Sequence, residues 1–257
     1  LMMENLGKEG EEFWASVMTA DLITKVAGAG LIRVAPLDEI LKLDKDLSIE
    51  EKAEKLRVKY ILTHSFLIKD DGFDLWCKLE NIGNGVALFS NKISEPMDMT
   101  TQMVGKLAND IITSLKVKTV QDVMKAPTTN SEAYEYYLRA KFIYKKRENL
   151  NDMEVARGLL KKAIEIDSNL FLAKQLLGHT YFDIEEYKKA MEIYTNNLKQ
   201  AEELGDKYWL SYSLYDIGFT YSFKGNDYRA LEYYMRSLEI AKEIDDDNII
   251  GRSLKNI

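Results

Sequence analysis

From Ser131 to Ile257 apolar and small residues recur at helical spacing with no proline between them, whereas from Lys59 to Ile93 they alternate residue by residue. The first pattern lays a stripe along one helix face; the second sends successive side chains to opposite faces of a strand. Ahead of the alternating region, Phe13, Trp14, Val17, Met18, Leu22, Ile23 and Val26 form a helical stripe over residues 11–27. Leu31 to Ala35 reads as a further strand, ended by Pro36, and residues 37–44 and 48–57 as two short helices. The second of these opens on Ser48-Ile-Glu-Glu51, close to a capping box. Strands are expected at 59–69, 73–81 and 86–93, with turns at Asp71-Gly72 and Asn84-Gly85, and Phe73, Leu75, Cys77 and Leu79 on one face. Met103, Leu107, Ile111 and Leu115 mark one more amphipathic helix.

The helical half repeats itself at an offset of 40 residues. Gly178-His-Thr-Tyr181 returns as Gly218-Phe-Thr-Tyr221, and Ala190-Met-Glu-Ile-Tyr194 as Ala230-Leu-Glu-Tyr-Tyr234. A period of this size with small residues at fixed points implies stacked helical hairpins. An earlier pair is legible in a helix at 131–146 and a second carrying Ala156, Leu160 and Ala163, with the 146–151 loop expected to be about four residues longer than in later copies. Asn248 to Ile257 begins a fourth pair. The fold class is therefore a mixed α/β amino-terminal domain at 1–116, a linker at 117–130, and an all-α helical-hairpin solenoid at 131–257.

Composition narrows the function classes. A net charge of −7 and a pI near 5.1 weigh against general affinity for nucleic acid or anionic membrane. With Cys77 the single cysteine, an internal disulfide and a thiolate-rich metal site are both excluded. No run has the length of a membrane helix. The chain opens as if inside a strand and stops inside a repeat, so it is expected to be part of a longer protein, in a cytoplasmic or periplasmic compartment that the sequence leaves open.

The helical pairs resemble the tetratricopeptide repeat, whose pattern places Leu-Gly and Tyr on one helix, then Ala, an aromatic or Leu, and Ala on the next. Leu177, Gly178, Tyr181, Ala190 and Tyr194 fit in one copy; Ile217, Gly218, Tyr221, Ala230 and Tyr234 fit in the next. Ala140, Ala156, Leu160 and Ala163 match in the first pair, while Asn197 and Ser237 stand where a second alanine is usual. Small residues let helices nest and the aromatics fill the space beside them.

Residues 1–116 resemble the TolB amino-terminal-like domain, through Glu4-Asn-Leu-Gly7, Ala20-Asp-Leu-Ile23, Leu31-Ile-Arg-Val-Ala35, Ala53 to Leu62 and Gly85-Val-Ala-Leu-Phe-Ser90. Thr63-His64 departs from the glycine usual after the Tyr-Ile-Leu segment. The resemblance implies a regulatory segment of a bacterial signalling protein, whose effector, a class III nucleotide cyclase for instance, lies elsewhere. A periplasmic or envelope scaffold is the alternative.

No set of acid, base, nucleophile or metal ligand converges in the sequence, so a non-catalytic role without cofactor or metal is expected. His64 and His179 fall in different halves, and Cys77 sits among strand core positions. Asp245-Asp-Asp247 is expected to be a solvated turn, and Gly28-Ala-Gly30 to cap a helix. One constellation stands out. Tyr212, Tyr215 and Phe219 lie on one helix face, away from the packing set Leu214, Ile217, Gly218 and Tyr221. The repeat resemblance places that face on a concave groove together with Tyr134, Tyr137, Lys141 and Tyr144 of the first pair and Gln175, His179 and Phe182 of the second. A protein or peptide partner is the expected ligand, and packing against the α/β domain or a neighbouring chain is the other use of such a face.

Overall fold

The computed structural model describes residues 3–8, 12–28, 33–44, 46–69, 72–96, 99–117 and 128–257. Leu1, Ala29-Gly30, Asp71 and most of the 117–130 interval lie outside the described residues. The chain divides into two compact units, Leu1–Ser131 and Glu132–Ile257.

The amino-terminal unit is built on a four-stranded sheet in the order β1 (Glu4–Asn5), β2 (Tyr60–Lys69), β3 (Gly72–Asn81), β4 (Val86–Pro96). β1 pairs with β2 in parallel; β2, β3 and β4 form an antiparallel meander. Gly85 holds φ at +67°, a conformation that glycine adopts without a Cβ clash, and closes the β3–β4 turn. Phe66, Phe73, Leu75, Cys77 and Leu79 are buried on one sheet face. Trp14, Val17 and Met18 of α1 (Glu12–Gly28) and Met103, Leu107 and Ile111 of α4 (Thr100–Ser114) are buried with them. The Trp14 ring meets Phe73 edge-on at 5.9 Å, and Phe73 stacks on Phe66 at 5.2 Å. Burial pushes the Cys77 thiol up to about 11, so it stays protonated as a core residue.

Two short helices, α2 (Leu37–Leu41) and α3 (Ile49–Leu56), complete this unit. Ser48 and Glu51 close the full capping box on α3. Of the strand expected at 31–35, only residues 33–35 are described, and they carry no sheet pairing. Arg33 explains the difference. Its Nη1 donates to the carbonyls of Leu56 (3.1 Å) and Arg57 (3.3 Å), which ties the segment to the open end of α3 and away from a strand edge.

His64 lies on the buried sheet face at 6% exposure, with Nε2 3.4 Å from Thr19 Oγ1. Burial disfavours the imidazolium and lowers the pKa to about 3. The folded state therefore holds His64 neutral. Its contribution to stability is complete above the unfolded value of 6.5 and is lost as pH falls from there towards about 3. Going from pH 7.5 to pH 5 should cost the amino-terminal unit about 2 kcal/mol, before most carboxylates titrate. Urea midpoints followed by Trp14 and Trp76 fluorescence test this; equal midpoints at the two pH values would contradict it.

The second unit is all helix: α5 (Ser131–Lys146), α6 (Leu150–Ile166), α7 (Phe171–Phe182), α8 (Tyr187–Leu204), α9 (Lys207–Phe223), α10 (Asp227–Glu243) and α11 (Asp247–Asn256). Ala156, Leu160, Ala163, Ala190, Ala201 and Ala241 are buried where helices nest. The ring of Tyr194 lies directly over Gly178, where a Cβ would meet its Cε1 at 2.2 Å, and Tyr234 takes the equivalent place beside Gly218 at 3.1 Å. Ser237, at a usual alanine position, donates from Oγ to the Ser211 carbonyl at 2.8 Å.

Two expectations are corrected in this unit. The α5–α6 connection is not a long loop: it spans residues 147–149, the same length as the α9–α10 connection at 224–226. The additional residues lengthen the facing ends of α5 and α6, with Asn149 capping α6 by accepting from the Asp152 N–H. Nor is Asp245 to Asp247 simply a solvated turn. Asp246 is buried and caps α11, accepting from the Asn248 and Ile249 amides; burial, opposed by those bonds, raises its pKa.

Candidate functional site

The candidate groove residues lie on α5, α7 and α9, the first helices of successive pairs. Their spacing along each helix puts them on a shared side, and cross-helix bonds fix that side. Asp216 of α9, buried at 4% exposure, accepts from Gln175 Nε2 of α7 at 2.8 Å, with His179 Nε2 3.5 Å from its other oxygen. Tyr144 of α5 donates to Asp183 at 2.7 Å, just past the end of α7, and Arg147 donates to the same oxygen at 2.6 Å. The Arg147 guanidinium lies 4.0 Å over the Tyr144 ring. Burial, with Asp183 as acceptor, pushes the Tyr144 hydroxyl well above its ordinary range, so it remains a donor.

Aromatic contacts continue the face. Phe182 meets Phe219 at 5.2 Å and Phe223 at 5.0 Å, and Tyr212 packs on Tyr208 at 4.6 Å and Trp209 at 5.8 Å. Burial pushes the Tyr212 hydroxyl far up as well. Lys141 holds its ammonium 5.5 Å from the Tyr137 ring.

Seven of the ten side chains are half-buried and present part of their surface: Lys141, Tyr144, Gln175, His179, Phe182, Tyr212 and Phe219. Tyr134, Tyr137 and Tyr215 are buried. For Tyr215 the cover comes from α10 and α11: Tyr234 packs at 5.5 Å, Arg252 sits 4.2 Å over the ring, and Asn256 donates to its hydroxyl at 2.8 Å. Tyr215 thus supports the face from beneath, and Tyr212 and Phe219 are the α9 rings at its surface. Asp216, Asp183 and Arg147 organise the face without being among the residues singled out from sequence. Asp216 left a signal, as an acidic residue four after Tyr212 and three before Phe219 on a helix apolar nearly all round.

Among the described residues, no group of three or more His, Cys, Asp or Glu is placed to hold a metal, and no helix is long and apolar enough to cross a membrane.

Residues 169–243 match the family model of the tetratricopeptide repeat. That span holds α7 to α10, both copies of the 40-residue repeat. Regulatory protein RapD of Bacillus subtilis (strain 168) is 22% identical over 213 residues, which are 77% of this chain and 58% of RapD, so the chain spans little more than half of that relative. Among solved structures, apo RapI is 13% identical with a TM-score of 0.43, over 58% of this chain and 52% of RapI. TolB from Acinetobacter baumannii is 12% identical with a TM-score of 0.30, over 44% of this chain and 27% of TolB.

Proposed function

We propose that the helical unit recognises a peptide segment of a partner protein on the face of α5, α7 and α9, as the input element of a larger regulatory protein. The observation that carries the reading is the buried Asp216 carboxylate, which holds Gln175 and His179 of the neighbouring helix in place beside half-buried Tyr212 and Phe219. Rings with little rotational freedom, next to oriented polar groups, bind peptide with a small entropic loss. The repeat match over 169–243 and a relative named as a regulatory protein support the same reading. An effector carried elsewhere in the protein, a nucleotide cyclase first, follows from the resemblance of residues 1–116 to the TolB amino-terminal-like domain.

Peptides selected by display on the full chain provide the test, with affinities read by calorimetry. Tyr212→Ala and Phe219→Ala should each weaken a selected peptide by roughly 1–3 kcal/mol, about 5- to 150-fold. Tyr228→Ala, on an 83% exposed ring of α10, should leave the affinity unchanged. If the α9 variants fold, by circular dichroism, and bind as wild type does, the face is not the recognition surface.

A further inference from the structure

Three arginines of the helical unit are buried or half-buried: Arg147, Arg157 and Arg252. Two of them give their N–H groups to oxygens. Arg147 donates to Asp183 and to the Tyr144 carbonyl, and Arg157 donates to Thr180. Arg252 does not. Among the described residues its guanidinium has neither an ion-pair partner nor a hydrogen-bond acceptor, and its contact is the Tyr215 ring at 4.2 Å. A ring attracts the charge but offers the five N–H donors no oxygen.

Arg252 also occupies a telling place. It stands 40 residues after Tyr212, and Lys255 stands 40 after Tyr215, the offset at which the helical pairs repeat. The bond from Asn256 to the Tyr215 hydroxyl, 2.8 Å, ties α11 to α9 at this level. α11 therefore continues the face of α5, α7 and α9, and where α9 carries rings α11 carries two cations. The carboxylates around this step are turned inward. Asp216 is 4% exposed and bonded to Gln175; Asp246 is 2% exposed and bonded to the amides of Asn248 and Ile249. Asp247 lies five residues before Arg252, about 140° round the helix. The charge presented to a ligand here is positive. A guanidinium fork matches a carboxylate in geometry and strength. The two buried carboxylates would oppose a doubly charged phosphate more than a singly charged carboxylate.

We infer that the peptide recognised by this face is acidic, with an Asp or Glu side chain accepting from Arg252 beside residues seated on Tyr212 and Phe219. The inference rests on the peptide reading proposed above and adds the chemistry of the ligand.

The test uses the full chain and peptides selected from a random display library, synthesised with amidated carboxyl termini so that side chains supply their only carboxylates. The selected peptides should contain Asp or Glu, and changing that residue to Asn or Gln should weaken binding roughly tenfold or more. Arg252→Gln should cost the acidic peptide a similar factor and the neutralised peptide less than about threefold. If Arg252 only supports Tyr215, both peptides weaken equally, so the pair of titrations separates recognition from support. Arg236→Gln, on an exposed residue of α10, should change neither affinity. In the unaltered protein, added salt should weaken the acidic peptide and leave the neutralised one nearly unchanged, a comparison that stands even where a variant fails to fold. Selected peptides without acidic residues, equal losses in Arg252→Gln, or equal salt responses would each overturn the inference. The peptide face itself would stand if Tyr212→Ala still weakened those peptides. Failure to select any peptide, or peptides indifferent to both Tyr212→Ala and Phe219→Ala, would overturn both readings.

Discussion

Gly178→Leu should unfold the α7–α8 pair, at a cost of roughly 3 kcal/mol or more. Even the first carbon of the new side chain would sit 2.2 Å from Tyr194 Cε1, well inside contact distance. The Tyr194 ring has nowhere to retreat: it is buried at 2% exposure beside Ala190 and Ile217. Overpacking a tight core costs about 1–3 kcal/mol per modest insertion and more when the blocked group is rigid. The helix propensity gained on losing a glycine, about 1 kcal/mol, is too small to compensate. Gly158 in α6 provides the contrast, because a Cβ there meets nothing within 4 Å. Gly158→Ala should raise stability by about 0.5–1 kcal/mol. Segment-resolved hydrogen exchange separates the two cases; native protection of α7 and α8 in Gly178→Leu would refute the nesting account.

Arg157→Ala should cost about 3 kcal/mol through a different mechanism. Arg157 is buried on α6, and its Nη2 donates to the Thr180 carbonyl at 2.5 Å and its Nε to Thr180 Oγ1 at 3.0 Å. The last four carbonyls of α7 have no partners further along the helix. Those of His179, Tyr181 and Phe182 are met by the amides of Asp183, Glu186 and Glu185, and Thr180 is met by Arg157. The guanidinium also lies 4.1 Å over the Tyr181 ring. Removing it leaves buried acceptors unpaired, together with a void. Arg157→Lys, keeping the charge but not the fork, should recover only part of the loss. Urea unfolding followed by Trp209 fluorescence, in a Trp14→Phe, Trp76→Phe background, reads this directly. Equal stability of Arg157→Ala and the parent would contradict it.

The helical pairs were legible because their signal is local: alanine, glycine and tyrosine at fixed steps dictate how one helix nests on the next. The meander was legible for the same reason, through alternation and the Asn84-Gly85 turn. Arg33 to Ala35 shows the limit. Alternation identifies a backbone that can be extended, but pairing needs a free edge, and Arg33 instead serves two carbonyls more than twenty residues away. The side of α9 that bears Tyr212 and Phe219 followed from helical spacing. The burial of Tyr215 did not, because it depends on Arg252 and Asn256 of a helix whose crossing the sequence does not encode locally. The role of Asp216 was hidden likewise, since its partners are contributed by α7.

The central claim, recognition of a peptide by the face of α5, α7 and α9, is tested most directly by amide hydrogen exchange of the full chain with and without a saturating selected peptide. Exchange should slow along α7 and α9 and at the carboxyl end of α5, with α8 and α10 unchanged. Slowing confined to α8 and α10, or to the amino-terminal unit, would contradict the account.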